Sequence, residues 1–241
     1  MLILVGHGLA EAQVVVNELM ASNSLAVSDP DFDDSSDWVE LHNLGAEAVD
    51  LSGWFATDNL NDANKWAFPT GTVIPDGGFL ILWCDGEATG LHTSFKLGST
   101  GEEIGVFNAS LEVQDAVLFE AQDTDISWGR SMDGSDQWAW FEQPAPGASN
   151  NSSVAYEGVV HHVPHFSESG GFKDAPFFLA LTSINGDVRF TLDGTEPSLT
   201  SSLVVEPLFI NESNFVRARV FLENQIPGPI VTHSYFFDAS L

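Results

Sequence analysis

Apolar residues in this chain come in short runs separated by clusters of Asp, Asn, Ser, Gly and Pro. In Asp37–Trp54, Val39 and Leu41 alternate with Glu40 and His42, the period of a half-buried strand. Asn43-Leu44-Gly45 breaks the run, and Val49-Asp50-Leu51 resumes it before Ser52-Gly53, which predicts two strands joined by a short turn. Upstream, Val14–Met20 is rich in β-branched residues and reads as the first strand. Downstream, Lys65–Pro69 starts another strand, and Thr72–Pro75 and the turn Asp76-Gly77-Gly78 follow. Phe79–Cys84 is apolar at both parities, which predicts a central strand covered on both faces. Ile104–Phe107 and Val113–Leu118 predict a hairpin around Asn108-Ala109-Ser110. Asp125–Arg130 and Trp138–Phe141 follow, and Pro144–Asn150 closes the unit.

Residues 151–165 read as a linker by composition. Beyond them, Phe177–Leu181, Val188–Leu192, Leu208–Ile210, Phe215–Leu222 and Val231–Phe237 predict five more strands. In Phe215–Leu222, Val216, Ala218, Val220 and Leu222 share one face, and Arg217 and Arg219 the other. The fold class is therefore all-β: two β-sandwiches in tandem, 13–150 and 166–241.

Charge changes the picture most. Thirty-five acidic residues face seven Lys plus Arg, a formal net charge of −28. A field of that sign repels phosphate backbones, which argues against nucleic acid as a partner and favours cations. No stretch is long and apolar enough for a transmembrane helix. A single cysteine, Cys84, sits in an apolar run and reads as a buried structural thiol. Residues 1–12 read as the remnant of a signal peptide: Leu2–Val5 is apolar, and Ala10-Glu11-Ala12 fits a small-x-small cleavage site.

Candidate chemistry is concentrated in the loop Ser28–Asp37. Calcium takes six to eight oxygen ligands, and closely spaced aspartates supply them. Asp29, Asp31, Asp33, Asp34 and Asp37 are the candidate ligands, with calcium the only cofactor implied. The alternation of Asp29, Asp31 and Asp33 is EF-hand-like, but Asp34 stands where that loop needs glycine. Asp58, Asn59 and Asp62 read first as turn chemistry, and His92 as a hydrogen-bonded structural residue. His161, His162 and His165 have no partner at a recognised zinc spacing. Trp38, Trp54, Trp66 and Trp83 fall on core strands or their edges. Trp138 and Trp140, two apart on one strand, share a face and are the candidate carbohydrate-binding pair.

Two resemblances bear on this reading. DWVELHN, VDLSGW and KWAFPTGTVIPDGGFLIL, continued by GRSMDG and PAPGASN, resemble the lamin tail domain over roughly the first three-fifths of the chain. That domain is an immunoglobulin-like β-sandwich found in nuclear lamins and many bacterial exported proteins, so both sandwich type and export are implied. FTLDGTEPS followed by FVRARVFLENQIPGPIVTHSYFF resembles the small C-terminal domain of chitobiases and β-hexosaminidases. There it is an accessory module, so no catalytic role carries over to Asp193 or Glu196, and Asp193 is expected to cap its own turn. The order of the two resembles the front of exported proteins that continue into a CotH-kinase-like domain. The expected function is a non-enzymatic extracellular adhesion or scaffolding module facing a protein or glycan surface. The alternative is a carbohydrate-binding accessory module of a glycan-active or CotH-kinase-like enzyme.

Overall fold

A computed structural model describes residues 13–237. The suggested signal remnant, 1–12, lies outside the described residues. The chain divides into two compact units, Met1–Ala155 and Tyr156–Leu241. Among the described residues the regular elements are strands, apart from one 3-10 turn at Asn150–Ser152. No helix among them is long and apolar enough to cross a membrane.

The strands of the first unit are β1 (Val14–Met20), β2 (Trp38–Asn43), β3 (Val49–Asp50), β4 (Phe55–Thr57), β5 (Trp66–Ala67) and β6 (Val73–Ile74). After these come β7 (Phe79–Trp83), β8 (Gly101–Phe107), β9 (Val113–Glu120), β10 (Ser127–Arg130) and β11 (Trp138–Phe141). One sheet has the order β11-β10-β1-β2-β7 and the other β5-β4-β8-β9. The main core lies between them, with Val14, Val16, Leu19, Val39 and Leu41 from the first sheet meeting Ala56, Ile104, Val106 and Val117 from the second.

A bulge in β1 sets what faces where. The register with β2 shifts between Val16 and Glu18, so inward parity changes from Val14 and Val16 to Leu19 and Ala21. Glu18 and Met20 then stand on the outer face, beside Glu40 and Trp38 of β2. That face is covered too: Met20, Trp38 and Trp83 form a second buried cluster with Val27 and Ile81 against it.

Two strand expectations change. Phe79–Trp83 is an edge strand and the central one is β1. The apolar residues on the outer side of β7 pack locally, Ile81 in the Trp38 cluster and Phe79 stacked on His42 with ring centroids 4.2 Å apart. β3 does not pair with β2. It pairs with β6, Val49 opposite Ile74.

In the second unit the strands are β12 (Gly158–Val159), β13 (His165–Phe166), β14 (Gly171–Lys173), β15 (Phe177–Leu179), β16 (Leu181–Thr182) and β17 (Asp187–Thr191). They continue with β18 (Ser202–Leu203), β19 (Leu208–Ile210), β20 (Asn214–Phe221), β21 (Gln225–Ile226) and β22 (Val231–Phe237). The main sheet has the order β14-β22-β20-β17-β18. Val216, Ala218 and Val220 are buried with Leu179, Val188, Ile210 and Tyr235, so the alternation along β20 does face the core. Part of the stretch read as linker belongs to this unit, because β12 pairs with β21 and Val160 is a core residue.

Candidate functional site

The loop between β1 and β2 is tied down at its neck by side chains. Asn23 Nδ2 donates to the carbonyls of Val27 and Ser36 at 2.6 and 2.8 Å. Asp125 Oδ1 accepts from the amides of Ser24, Leu25 and Ala26 at 2.7, 2.9 and 3.1 Å. Burial alone would raise the Asp125 carboxyl, but the three donors outweigh it and hold it low. At the loop's far end Asp37 Oδ1 accepts from the amide of Asn23 at 2.9 Å.

The tip of this loop meets the segment after β7. Asp29, Asp85 and His92 each offer one ligand atom, and these atoms lie within 4.8 Å of one another. His92 is positioned by the backbone around it: the amide of Trp83 donates to Leu91 O, and the amide of Thr93 to Trp83 O. Its Nδ1 is 2.6 Å from Asp85 Oδ2 and 3.7 Å from Asp29 Oδ2. Its Nε2 is 3.2 Å from Asp31 Oδ2. Phe32 packs edge-on against the imidazole at 4.6 Å. Burial pulls the His92 pKa down, but hydrogen bonds to Asp85 and Asp31 and the charges of Asp85 and Asp29 outweigh it, leaving it raised.

Asp29 has no exposed surface. Its Oδ1 accepts from the Asp31 amide at 2.9 Å, whereas its Oδ2 has no hydrogen-bond partner. Of the five aspartates read as ligands, Asp29 and Asp31 reach this cluster. The Asp33 amide donates to Asp29 O at 2.9 Å with φ at +53°, Asp34 accepts from the Ser35 amide, and Asp37 holds the neck. Sequence reading does not bring Asp85 and His92 to this cluster, since they lie far from the loop in sequence and no local spacing joins them to it. Next to Asp85, Cys84 is fully buried and its thiol is pushed up by burial, which makes it inert.

A second titratable cluster lies on the outer face of the first sheet. Glu18 stands directly opposite Glu40, and neither has exposed surface. Asn17 Nδ2 donates to Glu40 Oε1 at 3.0 Å and to Asp133 Oδ1 at 3.2 Å. The closing segment crosses over it, with the amide of Gly147 donating to Glu40 Oε2 at 2.6 Å and Ser149 Oγ to Asp133 Oδ2 at 2.5 Å. Burial pushes Glu18 up to about 7, against the hydrogen bonds from Ser127 and the Ala145 backbone. Burial likewise pushes Glu40 up to about 8, with the Glu18 and Asp133 charges adding to it. A general acid must touch its substrate, and neither of these carboxyls has exposed surface for one to reach.

Trp138 and Trp140 share a face on edge strand β11, but their neighbours occupy the rings. Trp138 stacks on Trp128 at 4.1 Å and lies under the Arg130 guanidinium at 5.0 Å, and Trp140 leans on Trp128 at 6.4 Å.

In the second unit, Asp193 Oδ1 accepts from Thr195 N and Thr195 Oγ1 at 3.0 and 2.6 Å, closing its own turn. His162 Nε2 is 2.9 Å from the Asn185 carbonyl oxygen, and no metal-type group among the described residues includes His161, His162 or His165. The outer side of the main sheet is aromatic. Phe172 lies opposite Phe236 across β14 and β22 with centroids 5.6 Å apart, and Phe215 meets Phe236 at 6.4 Å. Phe172 is 83% exposed and Phe215 53%.

Residues 9–128 match the family model described as Lamin Tail Domain, and residues 179–235 match the one described as Fn3 associated. No curated protein matches the chain. The chain thus contains a lamin tail domain, an immunoglobulin-like β-sandwich, followed by an Fn3-associated domain.

Proposed function

We propose that the chain is a non-enzymatic adhesion or scaffolding module of a bacterial exported protein, working outside the cell against a protein or glycan surface. The observation that carries this is the exposed aromatic cluster of Phe172, Phe215 and Phe236 on one side of a sheet. Contiguous apolar surface of this kind marks interaction sites. A net charge of −28 keeps such a module soluble and turns nucleic acid away. The order of the two domains supports placing the chain at the front of a larger CotH-kinase-type protein, with the second domain related to the chitobiase C-terminal module.

The test is retention of the full chain on immobilised bacterial cell-wall polysaccharide and on immobilised extracellular protein, with released reducing sugar assayed in parallel. Retention that falls in Phe172→Ser/Phe236→Ser, with no sugar released, supports the proposal. Release of sugar, or retention unchanged by the double substitution, contradicts it. The second reading, a carbohydrate-binding accessory module, rests on Trp138 and Trp140 sharing a face of edge strand β11. It predicts retention on polysaccharide alone, lost in Trp138→Ala/Trp140→Ala.

A further inference from the structure

We propose that Asp29, Asp85 and His92 form a binding site for a divalent transition-metal ion of the zinc class, with Asp31 as the outer carboxylate that orients the imidazole. This goes beyond the adhesion reading and does not depend on it. The donor set is two carboxylate oxygens and one imidazole nitrogen from separate parts of the chain, close enough to share one ion. Zinc takes such mixed nitrogen and oxygen ligands, whereas calcium requires six to eight oxygens. An imidazole aimed into the centre therefore selects against calcium.

Two details separate an ion site from a plain ion-paired histidine. A metal-bound histidine almost always donates its other ring N–H to a carboxylate or carbonyl. Asp31 Oδ2 stands at that position, 3.2 Å from Nε2, so an ion that displaces the Nδ1 proton, now hydrogen-bonded to Asp85 at 2.6 Å, would meet a lone pair facing Asp29 and Asp85. A doubly protonated His92 would satisfy Asp31 and Asp85 but not Asp29. The Oδ2 of Asp29 is buried, lacks a hydrogen-bond partner and lies 3.7 Å from Nδ1. A buried carboxylate oxygen left without a partner is costly, and a cation shared with Asp85 and His92 supplies one. The ion would clamp the β1–β2 loop onto the segment after β7, adding to the hydrogen bonds of His92 with Asp31 and Asp85 and of the Cys84 amide with Asp37 O.

The experiment is a calorimetric titration of the full chain, stripped with chelator, using zinc in one arm and calcium in the other, with melting temperature read alongside. We expect one equivalent of zinc and a melting temperature raised by several degrees, because an ion that binds only the folded state stabilises it. His92→Gln and Asp29→Asn remove that response. Replacing His161, His162 and His165 together by Gln leaves it intact. Asp31→Asn keeps all three ligands, so it retains the stoichiometry and weakens zinc roughly 10- to 100-fold. Should His92→Gln fail to fold, the Asp31→Asn arm decides, and unchanged affinity there overturns the proposal. A response to calcium in place of zinc, no response to either ion, or a zinc response that survives His92→Gln also overturns it.

Discussion

The two units distribute polar and apolar groups in opposite ways. Asn17, Glu18, Asp29, Glu40, His92, Arg130 and Asn150 are all buried in the first unit, whereas among the described residues of the second no polar side chain but Tyr235 is buried to this degree. The second unit instead leaves Phe172, Phe178, Phe209, Phe215 and Phe236 in solvent. The first unit has loops long enough to fold back over the outer face of its sheet, and it holds them with charged groups. The second has a small core and short connections, so the outer side of its main sheet stays uncovered. Buried polar groups that fix loops and exposed aromatic rings are thus divided between the two.

This division can be broken one unit at a time, because all seven Trp lie in the first unit and both Tyr, Tyr156 and Tyr235, in the second. The largest effect should come from pH. Glu18 and Glu40 have folded pKa values of about 7 and about 8 against an ordinary 4.5. A carboxyl raised by folding contributes its stability below the unfolded value and loses it as pH rises through the folded one. Each group then loses on the order of 3 to 5 kcal/mol across that window. Urea unfolding followed by Trp fluorescence should weaken steadily from pH 5 to pH 8, and Glu18→Gln/Glu40→Gln should flatten the slope. A Trp transition indifferent to pH would refute the burial of these carboxyls.

Next comes Arg130→Ala. Arg130 Nη2 pairs with Asp115 Oδ2 at 2.8 Å, and Nε donates to the Val16 carbonyl at 2.8 Å. Breaking a buried pair from one side costs roughly 3–5 kcal/mol. The Trp transition should move and the Tyr transition should not. In the second unit, Val216→Ala removes a fully buried side chain. It should lower the Tyr transition by about 2 kcal/mol and leave the Trp transition in place. The smallest effect on stability belongs to Phe172→Ser, within about 0.5 kcal/mol because the ring is in solvent. A larger loss would mean that the ring supports the sheet.

Alternation and β-branched runs disclosed the strands and the all-β class, because strand period is a local property. What depends on pairing was hidden. Glu40 alternates with Val39 and Leu41 and so reads as a solvent-facing residue, yet the closing segment Pro144–Asn150 lies over it. The bulge at Asn17 leaves no mark in a run of apolar and polar residues that could satisfy either parity. Phe79–Trp83 looked central because its outer residues are apolar, and only the position of Trp38 and His42 beside it explains them at an edge. For the candidate site, the acidic loop pointed to Asp29 and Asp31. Asp85 and His92 join them because β2 pairs with β7, Trp38 opposite Trp83, which brings both strand ends and the segments beyond them together.

The central claim is that the first unit uses its buried polar groups to hold an ion as well as its loops. The most direct test is the metal retained by the full chain after equilibration with equimolar zinc in excess calcium and removal of free ions, wild type beside His92→Gln. The account predicts one zinc and no calcium on the wild type, and no zinc on the variant. Retained calcium, no retained metal, or equal zinc on both proteins would contradict it.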